Sequence, residues 1–194
     1  FIDRQIVGIL APFIQADLGL TNTQLGLLIG LAFATFYTLI AIPIAWLADR
    51  YNRVNILAVA LAVWSGFTAL TGLAGNFMQI GLARMGVGVG EAGGSPPSHS
   101  IISDIFPPEK RASAMGFYST GVNIGILFGF LLGGWSNEFF GWRIAFAVVG
   151  IPGILMAGII RFTLKEPIRG LNENKTVSEE LVPFRDVVAL LWSR

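Results

Sequence analysis

Gly81-Leu82-Ala83-Arg84-Met85-Gly86-Val87-Gly88-Val89-Gly90-Glu91-Ala92-Gly93-Gly94-Ser95-Pro96-Pro97 is the stretch that decides the fold. It lies in an apolar run from about Phe77 to Ile102, and about 20 such residues cross the hydrocarbon core of a bilayer as a helix. The run nevertheless carries an arginine and a glutamate. Ionisable groups at membrane depth are costly and mark functional sites by default. Arg84 and Glu91 are seven apart and so share one helix face. Glycines at close spacing let helix backbones approach, and Pro96 and Pro97 are expected to interrupt or kink the inner end. Such a helix reads as a moving part rather than a rigid strut.

The rest of the chain has the same character. Hydrophobic residues make up 54% and charged residues 13%, against about 25% charged in a soluble domain. The mean hydropathy is +0.68. The solvent implied is lipid. Five further apolar stretches reach spanning length: from before Phe1 to about Ala16, Gln24 to Ala48, Asn55 to Gly75, Ala112 to Trp135 and Trp142 to Leu164. The prediction is an all-α membrane protein with a six-helix bundle over 1–164. A barrel would instead alternate in segments of about ten residues.

Lysines and arginines fix the predicted orientation. Arg50, Arg53, Lys110, Arg111, Arg161, Lys165 and Arg169 cluster at the ends of even-numbered spans, while the opposite loops carry only Arg143. The even spans then end in the cytoplasm and the N-terminus is cytoplasmic, in a multi-pass protein of the cell membrane. Residues 165–194 mix Glu166, Glu173, Glu179 and Glu180 with basic residues and read as a cytoplasmic linker. Pro183, Phe184, Val187, Val188 and Leu191 open an amphipathic pattern, read as the lead-in to a second, C-terminal bundle. The start inside an apolar run, without an initiator Met, reads as truncated. A net charge of +1 gives no case for nucleic acid, and the absence of cysteine excludes thiol chemistry. With one histidine, no metal or other cofactor is expected.

Asp3 and Arg4 add charge to the first span. Asp3 precedes Asp17 by 14 residues, roughly 21 Å of helix, and Glu91 follows Asn76 by 15, roughly 22 Å. The two carboxyl groups are therefore predicted at similar depth, in one cluster with Arg4 and Arg84 if the spans are neighbours. Burial disfavours an ionised carboxyl and a nearby arginine favours it. A group balanced between the two can take up and release protons. The alternative is static pairing of Asp3 with Arg4, or of Arg84 with Glu91.

Ala45-Trp46-Leu47-Ala48-Asp49-Arg50-Tyr51-Asn52-Arg53 resembles the loop motif of the major facilitator superfamily. It departs from that motif with Ala45 and Asn52 at glycine positions and Val54 at a basic one. Arg84-x-x-x-Gly88 resembles the superfamily's fourth-helix motif, and Gly121, Gly125, Gly129, Gly133 and Gly134 resemble the glycine-rich fifth helix of exporters. Asp3-Arg4-Gln5, Trp64-Ser65, Arg84 to Ala92, Pro96-Pro97-Ser98-His99-Ser100 and Ser103 to Arg111 look like the spinster branch. That resemblance implies a proton-coupled exporter of lysolipids or sphingoid lipids, with spans 1 and 4 facing one cavity. It also implies proton and substrate roles for Asp3, Arg4 and Glu91, and a contact of Asp49 with a helix end in the C-terminal half.

Asp49, Arg50, Arg53, Asp104 and Arg111 are read as a cytoplasmic gate, with Glu109 and Lys110 beside it. Phe33, Phe36, Tyr37 and Phe128 are candidate cavity-lining aromatics. Trp135 and Trp142 read as interface anchors, and His99 as an ordinary polar residue. The expected partners are the bilayer, protons and an amphipathic substrate. Other readings are a carrier of another small organic solute or drug, a non-transporting sensor, and a membrane-embedded lipid enzyme. The last lacks an evident nucleophile–base pair.

Overall fold

The computed structural model describes residues 2–170 and 172. The helices are α1 (Ile2–Leu18), α2 (Asn22–Gly26), α3 (Ala32–Arg50), α4 (Arg53–Thr71), α5 (Phe77–Ala92), α6 (Ser95–Ile105) and α7 (Pro108–Thr163). A π-helical turn, Leu27–Leu31, joins α2 to α3, so helix runs without a break from Asn22 to Arg50. Local chemistry sets the starts. Thr21 and Gln24 form a reciprocal capping box on α2, and Asn52 and Asn76 accept from the backbone N–H groups of Asn55 and Gln79. The all-α class predicted from the pattern is what the fold shows.

Among the described residues, three helical stretches are long and apolar enough to cross a membrane: Asn22–Arg50, Arg53–Thr71 and Pro108–Thr163. At 56 residues the last would measure roughly 84 Å if straight. It is not straight. Gly141, at φ 81° and ψ 164°, breaks the helical path and divides α7 into arms 108–140 and 142–163. Those dihedrals are open to glycine and strained for other residues.

The helices meet through small residues. α1 packs on α7, where Gly129 and Gly133 admit Ile2 and Ile6. α4 packs on both α7 and α5. A Cβ on Gly150 would stand 2.6 Å from the Ser65 oxygen, and one on Gly90 would stand 2.6 Å from the Trp64 nitrogen. Gly88 lies against the Phe33 carbonyl in the same way, which brings α5 onto α3. Lipid tails are as apolar as leucine, so such close packing rather than hydrophobic burial holds the helices together. Large apolar side chains such as Leu39, Phe117, Leu155 and Phe162 point outward.

The main core gathers at the Asp17 end. Ile6, Leu10, Ile14, Leu28, Ile80 and Phe146 are its largest fully buried side chains. Trp142 belongs to it as well, 5% exposed and edge-on to Phe146 at 6.0 Å. It is therefore a core residue rather than an interface anchor. Trp135 is exposed and clusters with Phe139 and Phe140.

The fourth apolar stretch is broken, as expected, but earlier than predicted. α5 ends at Ala92, the chain turns at Gly93 and Gly94, and Pro96 and Pro97 sit in the first turn of α6. There, the missing N–H of proline removes no helical hydrogen bond. The prolines start the second helix and the glycines make the break. The amphipathic pattern predicted from Pro183 onward lies outside the described residues.

Candidate functional site

Two charge clusters form on this frame, one inside the bundle and one at the end that carries Arg50 and Arg53. The inner cluster is built from α1 and α5. Arg4 Nε donates to Glu91 Oε2 in an ion pair between helices. Glu91 is 8% exposed, Asp3 8% and Arg84 3%. Arg84 donates to the Asp3 backbone carbonyl at 3.4 Å, and the Asp3 carboxyl faces Thr68 of α4. The four predicted residues are thus brought together. The pairing crosses helices and matches neither static alternative, Asp3 with Arg4 or Arg84 with Glu91. Glu91 Oε1 and Arg84 Nε are buried without hydrogen-bond partners among the described residues.

A cavity of about 160 Å³ opens beside the pair, lined by Arg4, Trp64, Glu91, Gly94, Ser95 and Tyr118. The break at Gly93–Gly94 positions the last part of this wall, because it offsets Ser95 from the path of α5. Tyr118 is shared with a larger, more apolar groove that runs past Phe106, Lys110, Phe117 and Ile124. His99 sits edge-on to Tyr118 at 5.3 Å. Of the predicted aromatics, Phe33 and Tyr37 lie against Arg4. Phe36 lines a separate groove with Met78 and Leu82, and Phe128 is 47% exposed on α7. Neither reaches the Arg4 cavity.

The second cluster centres on Arg53, which is 2% exposed although it opens a helix. It bonds Asp104 at 2.5 Å, Glu166 at 2.6 Å, Ser100 at 2.7 Å and the Pro167 carbonyl at 3.1 Å. Glu166 also accepts from the Val54 N–H, and Gly170 N–H and Asn172 donate to Asp104. Arg169 donates to the carbonyls of Ala48, Asp49 and Tyr51, capping the C-terminus of α3, where a cation is favoured. Residues 166–172 therefore strap together the ends of α3, α4 and α6.

The other predicted gate residues lie at this end without joining the Arg53–Asp104 pair. Arg50 stacks over Trp46 at 3.9 Å, and Arg111 donates to the Ser103 carbonyl. Sequence reading left out the roles of Tyr118, Ser95, Thr68 and Glu166. Glu166 stands 113 residues from Arg53, and no local spacing signals a pair across that distance. At the opposite end Asp17 accepts from Arg143 and from Trp142 Nε1, and Arg143 also donates to the Ala74 carbonyl. The Arg143 hydrogen bond holds the Asp17 carboxyl below the usual carboxylate range.

The model of the major facilitator superfamily matches residues 1–194. The chain belongs to that superfamily. It is 34% identical over 174 residues to the probable galactarate/D-glucarate transporter of Bacillus subtilis (strain 168), covering 86% of this chain and 38% of that protein. It is 31% identical over 196 residues to protein spinster of Drosophila melanogaster, covering all of this chain and 32% of the relative. Among solved structures it resembles a bacterial homolog of the human lysosomal transporter Spinster, inward-facing and unoccupied. The TM-score there is 0.82 at 40% identity, over 92% of this chain and 43% of the other. The spinster likeness read from the motifs is thus borne out. The chain spans less than half the length of the curated relatives it matches.

Proposed function

We propose that this chain is the N-terminal six-helix half of a secondary transporter that works by alternating access. Protons couple through Glu91 and Asp3, and the substrate is amphipathic and lipid-like, a lysolipid or sphingoid lipid. The observation that carries this reading is the Arg4–Glu91 pair, its acid buried and its arginine half-buried, at the wall of a cavity lined from α1, α4, α5, α6 and α7. Arg4 has two competing partners there, the Glu91 carboxylate and an anionic group on a substrate. A proton on Glu91 removes its charge and hands Arg4 to the substrate. The unpartnered Glu91 Oε1 offers a place for that proton, and the unpartnered Arg84 Nε a further donor.

The basic end is the cytoplasmic mouth in this reading. Arg53, Asp104 and Glu166 form its fixed part, and Asp49, Arg50 and Arg111 flank it as the gate toward a second bundle that completes the cavity. Residues 1–164 make up the bundle, and 165–194 are the linker to the second one.

A second reading, an organic acid as substrate, is supported by the galactarate/D-glucarate relative and by the modest cavity beside Arg4. Both substrates present an anion to the same arginine. The test is flux by the full-length transporter in vesicles under an imposed pH gradient, with lysophosphatidylglycerol in one arm and galactarate in the other. Loss of pH-driven flux is expected in Glu91→Gln and Asp3→Asn. Undiminished pH-dependent flux in both variants sinks the coupling assignment. Recovery of unaltered lipid separates transport from lipid hydrolysis.

A further inference from the structure

Phe33 and Tyr37 lie behind Arg4 rather than in the lining of its cavity. Their rings stack with centroids 5.6 Å apart and 22° between planes. Arg4 Cζ stands 4.7 Å from each centroid. Arg84 Cζ stands 5.2 Å from the centroid of Phe33, so one buried ring on α3 serves guanidinium groups from α1 and α5. The Gly88 contact permits this, because α5 approaches the Phe33 backbone where a side chain would collide.

A carboxylate and an aromatic face hold an arginine in different ways. The carboxylate cancels its charge. The π face attracts it electrostatically and leaves the full positive charge available to an anion. Once Glu91 no longer holds it, a long arginine side chain on a membrane helix tends to swing toward water.

We infer that the Phe33–Tyr37 stack is a positioning device for Arg4, keeping its guanidinium at the cavity when Glu91 is protonated and a substrate anion takes the carboxylate's place. The inference rests on the reading that Arg4 serves the substrate. It assigns to α3 a part that no charged residue on that helix supplies. Arg84 shares the Phe33 face, so the stack also receives a second guanidinium.

The test uses the full-length transporter in lipid nanodiscs and a double-mutant cycle on melting temperature. Tyr37→Leu and Phe33→Leu are each combined with Arg4→Met. The melting loss caused by either leucine is expected to shrink by at least half in the Arg4→Met background, and Tyr37→Phe, which keeps the ring and removes only the hydroxyl beside Arg4, is expected to lose less than Tyr37→Leu. Simple additivity overturns the inference. If Phe33→Leu does not fold, the more exposed Tyr37 arm decides alone.

Flux of lysophosphatidylglycerol and of galactarate supplies a readout that packing does not move. Tyr37→Leu is expected to raise KM about tenfold, the equivalent of one cation–π contact in a partly desolvated site, with kcat within about twofold. A fall in kcat at unchanged KM overturns the inference. Flux of neither probe defeats the substrate reading above, while the melting cycle still decides on the stack.

Discussion

The two ends of the bundle are built on opposite plans. The Asp17 end is a dry core, Ile6 to Phe146, closed by one small polar clasp at Asp17, Trp142 and Arg143. The Arg53 end has fewer buried apolar side chains and many charges, and its helices are tied by a strap rather than by packing. Between them α5 breaks at two glycines beside the Arg4–Glu91 pair. The contrast teaches where a helical half-transporter can yield. Interdigitated apolar cores have few alternative packings, whereas charge pairs can exchange partners when a proton, a substrate or a second bundle arrives.

Arg53→Ala should break this contrast most severely. It leaves Asp104 and Glu166 without their cation, and removing one partner of a buried pair costs about 3–5 kcal/mol. A large fall in melting temperature is expected, with protease cutting between residues 164 and 172 as the strap lets go. Phe146→Ala probes the dry end. A cavity is created but no surface leaves water, so a loss of about 2 kcal/mol is expected, read as melting temperature with transport intact. Gly90→Ala tests the middle. Its Cβ meets the Trp64 backbone, and overpacking of this kind costs about 1–3 kcal/mol. Flux should fall along with stability, because Trp64 and Glu91 share one cavity wall.

The smallest effect belongs to the clasp. The Asp17 carboxyl is held below its ordinary range by Arg143. Its contribution is therefore present in full above the ordinary carboxylate pKa, about 3.9, and is lost as pH falls through the lower folded value. Melting curves of wild type and Asp17→Asn should differ slightly at neutral pH and converge in acid. A gap that widens in acid would contradict the assignment.

The architecture was legible because lipid imposes a crude code. Spanning length, composition and the glycine spacing carry it, and Arg84 with Glu91 announced a site simply by being charged. Asp3 and Glu91 were placed at one level by counting helical rise. The pairing itself was not legible. Arg4 reaches Glu91 instead of its own neighbour because its side chain is long enough to cross to another helix, and rise per residue says nothing about reach. The proline signal was misplaced for a related reason. Pro96 and Pro97 mark a helix start as readily as a kink, and the choice depends on Gly93 and Gly94 having already turned the chain. Trp142 misled because an aromatic beside a loop is equally suited to an interface and to a core.

Arg143 sits where basic residues are usually kept out. With the Arg53 end cytoplasmic, as proposed, it has to cross the membrane during biogenesis. Its acceptor Asp17 lies 126 residues earlier in the chain and so reaches the far side first. The break at Gly141 separates the two arms of α7, and Arg143 stands just past it. The clasp thus joins the end of α1 to the start of the second arm of α7, and it can close only once the chain has been made past Gly141.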